Sequence, residues 1–128
     1  MGVYEDNRII KSTVKRLNEM NDERYTFMLA NVLMHRMYEN GEVPVPMDGD
    51  SQWLYEDSKG RKWYPLFTDE TECSSSELPE VIANVSIREI LTKGLSDESV
   101  KGIIINPLGN SRKLVKDTIG MIFEVYKK

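Results

Sequence analysis

A chain of 128 residues, 40% hydrophobic and 30% charged, suits one soluble domain that buries a core without covalent staples. Acids outnumber bases 21 to 17, and a net charge of −4 argues against a general nucleic-acid binder, because phosphate contact needs a cationic surface. One cysteine, Cys73, excludes an internal disulfide, and no apolar run approaches the roughly 20 residues that cross a bilayer.

The opening stretch, MGVYEDNRII, carries acids and no apolar segment, so it is not expected to act as a secretory signal. Gly2 is followed by Asp6 where myristoylation needs Ser or Thr. With a lone cysteine, these features predict a cytoplasmic protein.

Ile10, Val14 and Leu17 fall at helical spacing, which predicts a short helix over residues 7 to 18. Asn21-Asp22 cap a second helix that runs to about Glu39, with Tyr25, Met28, Leu29, Val32, Leu33 and Met37 on its buried face. Asn40-Gly41 ends it. The two helices should pack antiparallel.

The period then changes to two. Glu42 to Pro46, EVPVP, reads as extended chain whose prolines place it at an edge or a strand end. Trp53 to Glu56 and Arg61 to Phe67 form a hairpin around Asp57-Ser58-Lys59-Gly60. On the returning strand Trp63, Pro65 and Phe67 share one face, and Tyr64, Leu66 and Thr68 the other. Apolar bulk on both faces predicts cover on both sides.

Thr68 to Glu72, with its oxygen-bearing cap and acids, predicts the start of a short helix broken by Ser74-Ser75-Ser76 and Pro79. Val81 to Val85 reads as a strand. Ser86 and Glu89 form a capping box for a helix through Thr92 that Gly94 stops. Gly102 to Asn106 is a β-branched run of the kind found in buried central strands. Pro107 to Asn110 is a turn. Ser111 is expected to cap a last helix with Leu114, Val115, Ile119, Ile122 and Val125 inward, and Arg112, Lys113 and Lys116 on its charged face. The order predicts a single α+β domain: two N-terminal helices, then a mixed sheet of about five strands with flanking helices.

Gly60-Arg61-Lys62-Trp63-Tyr64-Pro65-Leu66-Phe67-Thr68, followed by Gly102-Ile103-Ile104-Ile105-Asn106-Pro107-Leu108-Gly109, resembles the N-terminal domain of the SseB family. Val43-Pro44-Val45-Pro46 resembles that family's Val-Pro-Val strand. The resemblance covers residues 25 to 127 and leaves 1 to 24 as an N-terminal helical extension. It implies a bacterial domain of α/β type and brings no established catalytic activity with it. Longer members of the family add a C-terminal domain.

Two readings of the strand ends stay open. In one, Pro65 protects an edge, Phe67 fills the core, Thr68 or Asp69 caps a helix, and Asn106-Pro107 ends a strand. In the other, Thr68 and Asn106 sit at strand ends that meet before two helix N-termini, a common place for ligands, lined by Tyr64, Thr68, Asp69, Asn106 and Asn110.

Other chemistry has weaker support. The single histidine, His35, sits on a helix flank, and no local motif joins it to Cys73. Asp69, Glu70, Glu72 and Glu77 lack the spacing of a calcium loop, and there is no His or Cys cluster for zinc. The loop from Asn106 to Ser111 lacks the Lys and glycine spacing of a P-loop, which leaves only a weak anion site at the amides near Ser111. No cofactor and no metal are expected.

Most methionines should fill the core. Met34 lies off the main stripe and marks a candidate adaptable contact surface, which Tyr4, Tyr38, Trp53 and Tyr55 could extend. The leading expectation is therefore a non-enzymatic interaction module that docks a protein partner or itself through an apolar patch beside Trp53 and Trp63. The alternative is a small-ligand binder or weak enzyme using a cleft near Thr68 and Asn106.

Overall fold

The computed structural model describes residues 5–20, 22, 24–74, 78, 79 and 81–126. Tyr4 and Glu77, and the side chain of Val125, lie outside the described residues. Among these residues a 3-10 turn, Glu5–Asn7, leads into α1 (Arg8–Met20) and α2 (Arg24–Tyr38). Strands β1 (Glu42–Asp48), β2 (Ser51–Gln52), β3 (Tyr55–Glu56), β4 (Lys62–Leu66) and β5 (Val81–Ser86) follow. The chain continues through α3 (Ile87–Ser96), β6 (Gly102–Ile105), β7 (Arg112–Val115) and α4 (Lys116–Tyr126). The fold is α+β.

The strands divide into two sheets, in orders β2-β1-β5 and β3-β4-β6-β7, rather than one sheet of about five. Only β4 and β6 run parallel, joined in register from Tyr64 opposite Ile103 to Leu66 opposite Ile105. The proline strand β1 pairs with β5 over its first six residues and with β2 only at Met47 and Asp48. Pro44 and Pro46 alternate with the residues that bond β5, so their missing N–H positions face away from that strand, and Pro46 still accepts from Trp53 N on its other side.

The main core joins α1, α2, α3 and α4 to both sheets through Ile10, Val14, Leu33, Val43, Leu66, Ile90, Ile103 and Ile119, all fully buried. Ile10, Val14 and Leu17 bring one face of α1 into this core. A second cluster lies on the other face of β4, where Phe67, Cys73 and Leu78 pack with Trp53. Cover on both faces of β4 is what its apolar alternation predicts.

Four local expectations need correction. Residues 69 to 73 form a turn and not a helix: Asp69 Oδ1 accepts the Glu72 N–H at 2.9 Å, and Ser74 is already outside any helix. Ser86 does cap α3, accepting from Glu89 N, yet Gly94 does not end it. The helix runs to Ser96, and Gly94 packs against β6, where a Cβ would overlap Ile103 Cγ2. Residues 112 to 115 form β7, antiparallel to β6, where a helix capped by Ser111 is expected. Val115 is accordingly 50% exposed, and Arg112 and Lys113 lie on a strand. Finally, Met37 is buried, whereas Met20, Met28 and Met121 are exposed.

Candidate functional site

The ends of β4 and β6 do meet. Asn106 N donates to Leu66 O at 3.0 Å, which carries the parallel pairing one residue past the strands. Asn106 then adopts φ +46°, a left-handed conformation that Asn tolerates better than most residues. That turn aims its amide back at Thr68. Asn106 Oδ1 accepts the Thr68 N–H at 2.9 Å, and Asn106 Nδ2 donates to Thr68 Oγ1 at 3.0 Å. Both residues are essentially without solvent exposure, at 0% and 1%.

Two residues absent from the sequence expectations complete this junction. Asn7, fully buried, donates from Nδ2 to Thr68 O at 3.1 Å and to Glu42 O at 2.8 Å. Its Oδ1 accepts from Arg36 Nε at 2.8 Å. Arg36 is itself buried, with Glu39 and Asp6 carboxylates 3.5 and 3.9 Å from Nη1. A polar relay thus runs Arg36–Asn7–Thr68–Asn106 and ties α2, the N-terminal turn, β4 and β6 together. Buried polar groups are tolerated only when paired, and these are paired with one another.

Of the remaining strand-end residues, Asp69 reaches the junction, its Oδ2 accepting from Thr68 Oγ1 at 3.4 Å, whereas Tyr64 and Asn110 do not converge on it. Tyr64 lies four residues before Thr68, about 13 Å along an extended chain. Its hydroxyl donates to Asp97 Oδ2 at 2.8 Å, beyond the end of α3. Burial, and then the bond to Asp97, pushes the Tyr64 phenol up to about 12. Asp69 caps its turn and faces Lys11 Nζ at 3.4 Å, with Glu72 at 3.9 Å from the same ammonium. Asn110 is exposed on the turn after β6. Both ends of the junction lead into turns and not helices, and β7 begins where a helix N-terminus near Ser111 was expected to offer amides to an anion.

The tryptophans are equally committed. Trp63 is 3% exposed, and its Nε1 donates to Asp57 Oδ2 at 3.0 Å. Asp57 is the hub of the hairpin turn. Its Oδ1 accepts from Lys59 N and Arg61 N, and its Oδ2 lies near Arg61 Nε and Lys113 Nζ. Burial alone would raise the Asp57 carboxyl, but these donors outweigh it and hold the group well below the usual carboxylate range. Lys113 also lies 5.1 Å over the Trp63 ring. Trp53 packs against Tyr55 and Phe67 with ring centroids 6.4 Å apart in each pair. The two indoles do not form an open apolar patch.

Cys73 and His35 fall in different settings. Cys73 is buried beside Phe67 and Leu78, and burial pushes its thiol up, away from a reactive thiolate. His35 is exposed on α2, in an open groove with Ile9, Ser12 and Val32. Among the described residues no three His, Cys, Asp or Glu side chains gather to hold a metal ion.

An apolar recess lies elsewhere, between α2 and α4. It has a volume of about 210 Å³; its lining is apolar at Phe27, Ala30, Met34, Met121 and Ile122 and polar at Thr26, Asn31 and Thr118. Phe27 is 67% exposed and Met121 60% exposed. Of these residues only Met34 stands out in the sequence. Phe27 leaves a trace there as well: α2 carries apolar residues beyond one stripe, more than a single buried face needs.

Comparisons with protein-family models, with curated proteins and with solved structures give no significant match. Among the described residues no helix is long and apolar enough to cross a membrane.

Proposed function

We propose that this chain is a non-enzymatic interaction module that docks a protein partner through the α2–α4 face. The observation that carries this reading is the exposed pair Phe27 and Met121 beside an apolar recess. Burying one such side chain contributes about 1.5–3 kcal/mol to an association. Methionines at the margin let the surface adapt to the apolar stripe of a partner helix, the occupant that a groove between two helices fits.

The resemblance to the SseB N-terminal domain belongs to the same reading. The motifs that carry it fall on β1, β4 and β6. The ends of β4 and β6 meet at Thr68 and Asn106, and Asn7 ties Thr68 to the start of β1. A shared pattern there supports a shared scaffold of bacterial origin, acting in the cytoplasm. The alternative, a ligand cleft at the strand ends, needs solvent access to Thr68 and Asn106, which are 0% and 1% exposed.

Site-specific photocrosslinking in the expressing cell tests the reading. A photoreactive residue at Met121 should capture one discrete protein, and the Phe27→Asp background should abolish that capture. The same residue at Val115, half exposed on β7, should not capture it. No capture from 121, or equal capture from both positions, would overturn the proposal.

A further inference from the structure

Seven methionines and one cysteine carry the sulfur of this chain. A thiol is the usual first target of an oxidant, but Cys73 is buried beside Phe67 and Leu78, and burial pushes its thiol up, away from the reactive thiolate. Oxidants therefore meet thioethers first, and they meet the exposed ones. Met37 is 2% exposed, whereas Met20, Met28 and Met121 are 62%, 47% and 60% exposed.

Of these three, Met121 lines the recess between α2 and α4. It stands on the α4 side, with Phe27 and Met34 on the α2 side. Met20 and Met28 lie outside that lining. The most accessible sulfur of the recess is thus also part of its apolar rim.

We propose that Met121 is a reversible oxidation site that closes the α2–α4 face to its partner, with a peroxide as the oxidant. A lone pair on Met121 Sδ attacks one peroxide oxygen, and an S–O bond forms as the O–O bond breaks. The departing hydroxide takes the remaining peroxide proton and leaves as water. Sulfur loses two electrons and the peroxide gains them. The product is a sulfoxide, polar where the thioether was apolar. The apolar stripe of a partner helix offers its oxygen no donor, so docking would strip that oxygen of water without replacement. The inference rests on the docking function proposed for this face.

The test is photocrosslinking from Asn31, exposed in the same recess, so that Met121 itself stays in place. Wild type, Met121→Leu and Met28→Leu are compared in the expressing cell before and after hydrogen peroxide, with sulfoxide at Met121 measured by mass spectrometry. Leucine keeps the bulk and removes the oxidisable sulfur. Before peroxide all three should capture the same protein. Afterwards wild type and Met28→Leu should carry the Met121 sulfoxide and lose the capture, and Met121→Leu should keep it. Enzymatic reduction of the sulfoxide should restore capture in the wild type. Met121 left unoxidised, a Met121 sulfoxide that still captures, or capture lost equally in Met121→Leu would overturn the inference while the docking function stands. No capture in any untreated sample would overturn the docking function, and the inference with it.

Discussion

Asn7 and Thr68 are 61 residues apart in sequence and joined by one buried hydrogen bond, from Asn7 Nδ2 to the Thr68 carbonyl at 3.1 Å. Through it the N-terminal turn holds the end of β4 in place, while Asn106 satisfies the Thr68 N–H from the other side. Every polar contact of Thr68 is thereby spent on other parts of the chain. The strand-end motif that looks most like a site is a joint.

Substitution at the joint should cost stability. Asn106→Ala leaves the buried Thr68 N–H unpaired and places Ala at φ +46°. A loss of about 2–3 kcal/mol is expected in urea denaturation. Asn106→Gly relieves the backbone and still loses both side-chain bonds, so it should recover only a minor part of that loss. Asn7→Ala should cost a similar amount, because it also strips Arg36 of its closest partner.

Two glycines should respond differently to alanine. At Gly102, with φ +150°, a Cβ would overlap the Leu114 carbonyl oxygen, which is backbone and cannot yield. Gly102→Ala should fail to fold, as judged by solubility and circular dichroism. At Gly94 the obstacle is the Ile103 side chain, so Gly94→Ala should fold with about 1–3 kcal/mol less stability.

Acid stability should report on Asp57. Its folded carboxyl ionises below the ordinary range, so its contribution is fully present above the unfolded value of about 4. The contribution fades as pH falls through the depressed folded value. Wild-type stability should therefore drop more steeply below about pH 4 than that of Asp57→Asn, which should already be less stable at pH 7. Denaturation midpoints across that range check both statements.

Alkaline stability should report on Tyr64. Its phenol titrates at about 12 in the folded state, above the ordinary value of 10.0. The stabilisation is present below 10.0 and is lost as pH rises toward about 12, because the unfolded chain ionises first. Ultraviolet titration should show a late-titrating phenol in the wild type that Tyr64→Phe removes.

Much of the fold was legible in the residues, and the exceptions have physical reasons. The stripes Ile10-Val14-Leu17 and Leu29-Leu33-Met37, the Ser86 cap and the Gly60 turn all signal locally. Strand β7 carries a helical signature because Val115, Ile119 and Ile122 fall at spacings of four and three and no breaker separates Val115 from Lys116. Gly94 resembles a stop signal, but its role is tertiary contact with Ile103, which local sequence does not encode. The meeting of Thr68 and Asn106 could be inferred from two strand ends. Its closure by Asn7 and Arg36 could not, since those contacts span 29 to 61 residues. The tryptophans drew attention as bulky aromatics, yet Asp57 and Phe67 absorb them.

Partner docking is proposed for the α2–α4 face and stability for the strand-end joint, and one comparison separates the two. Phe27→Asp and Asn106→Ala are each measured for unfolding free energy and for crosslinking from Met121, well below the melting temperature of either. Phe27→Asp should lose the crosslink while its stability stays within about 0.5 kcal/mol of wild type. Asn106→Ala should lose stability and keep the crosslink. A crosslink that survives Phe27→Asp and disappears in folded Asn106→Ala would contradict the account and make the end of β4 the working surface.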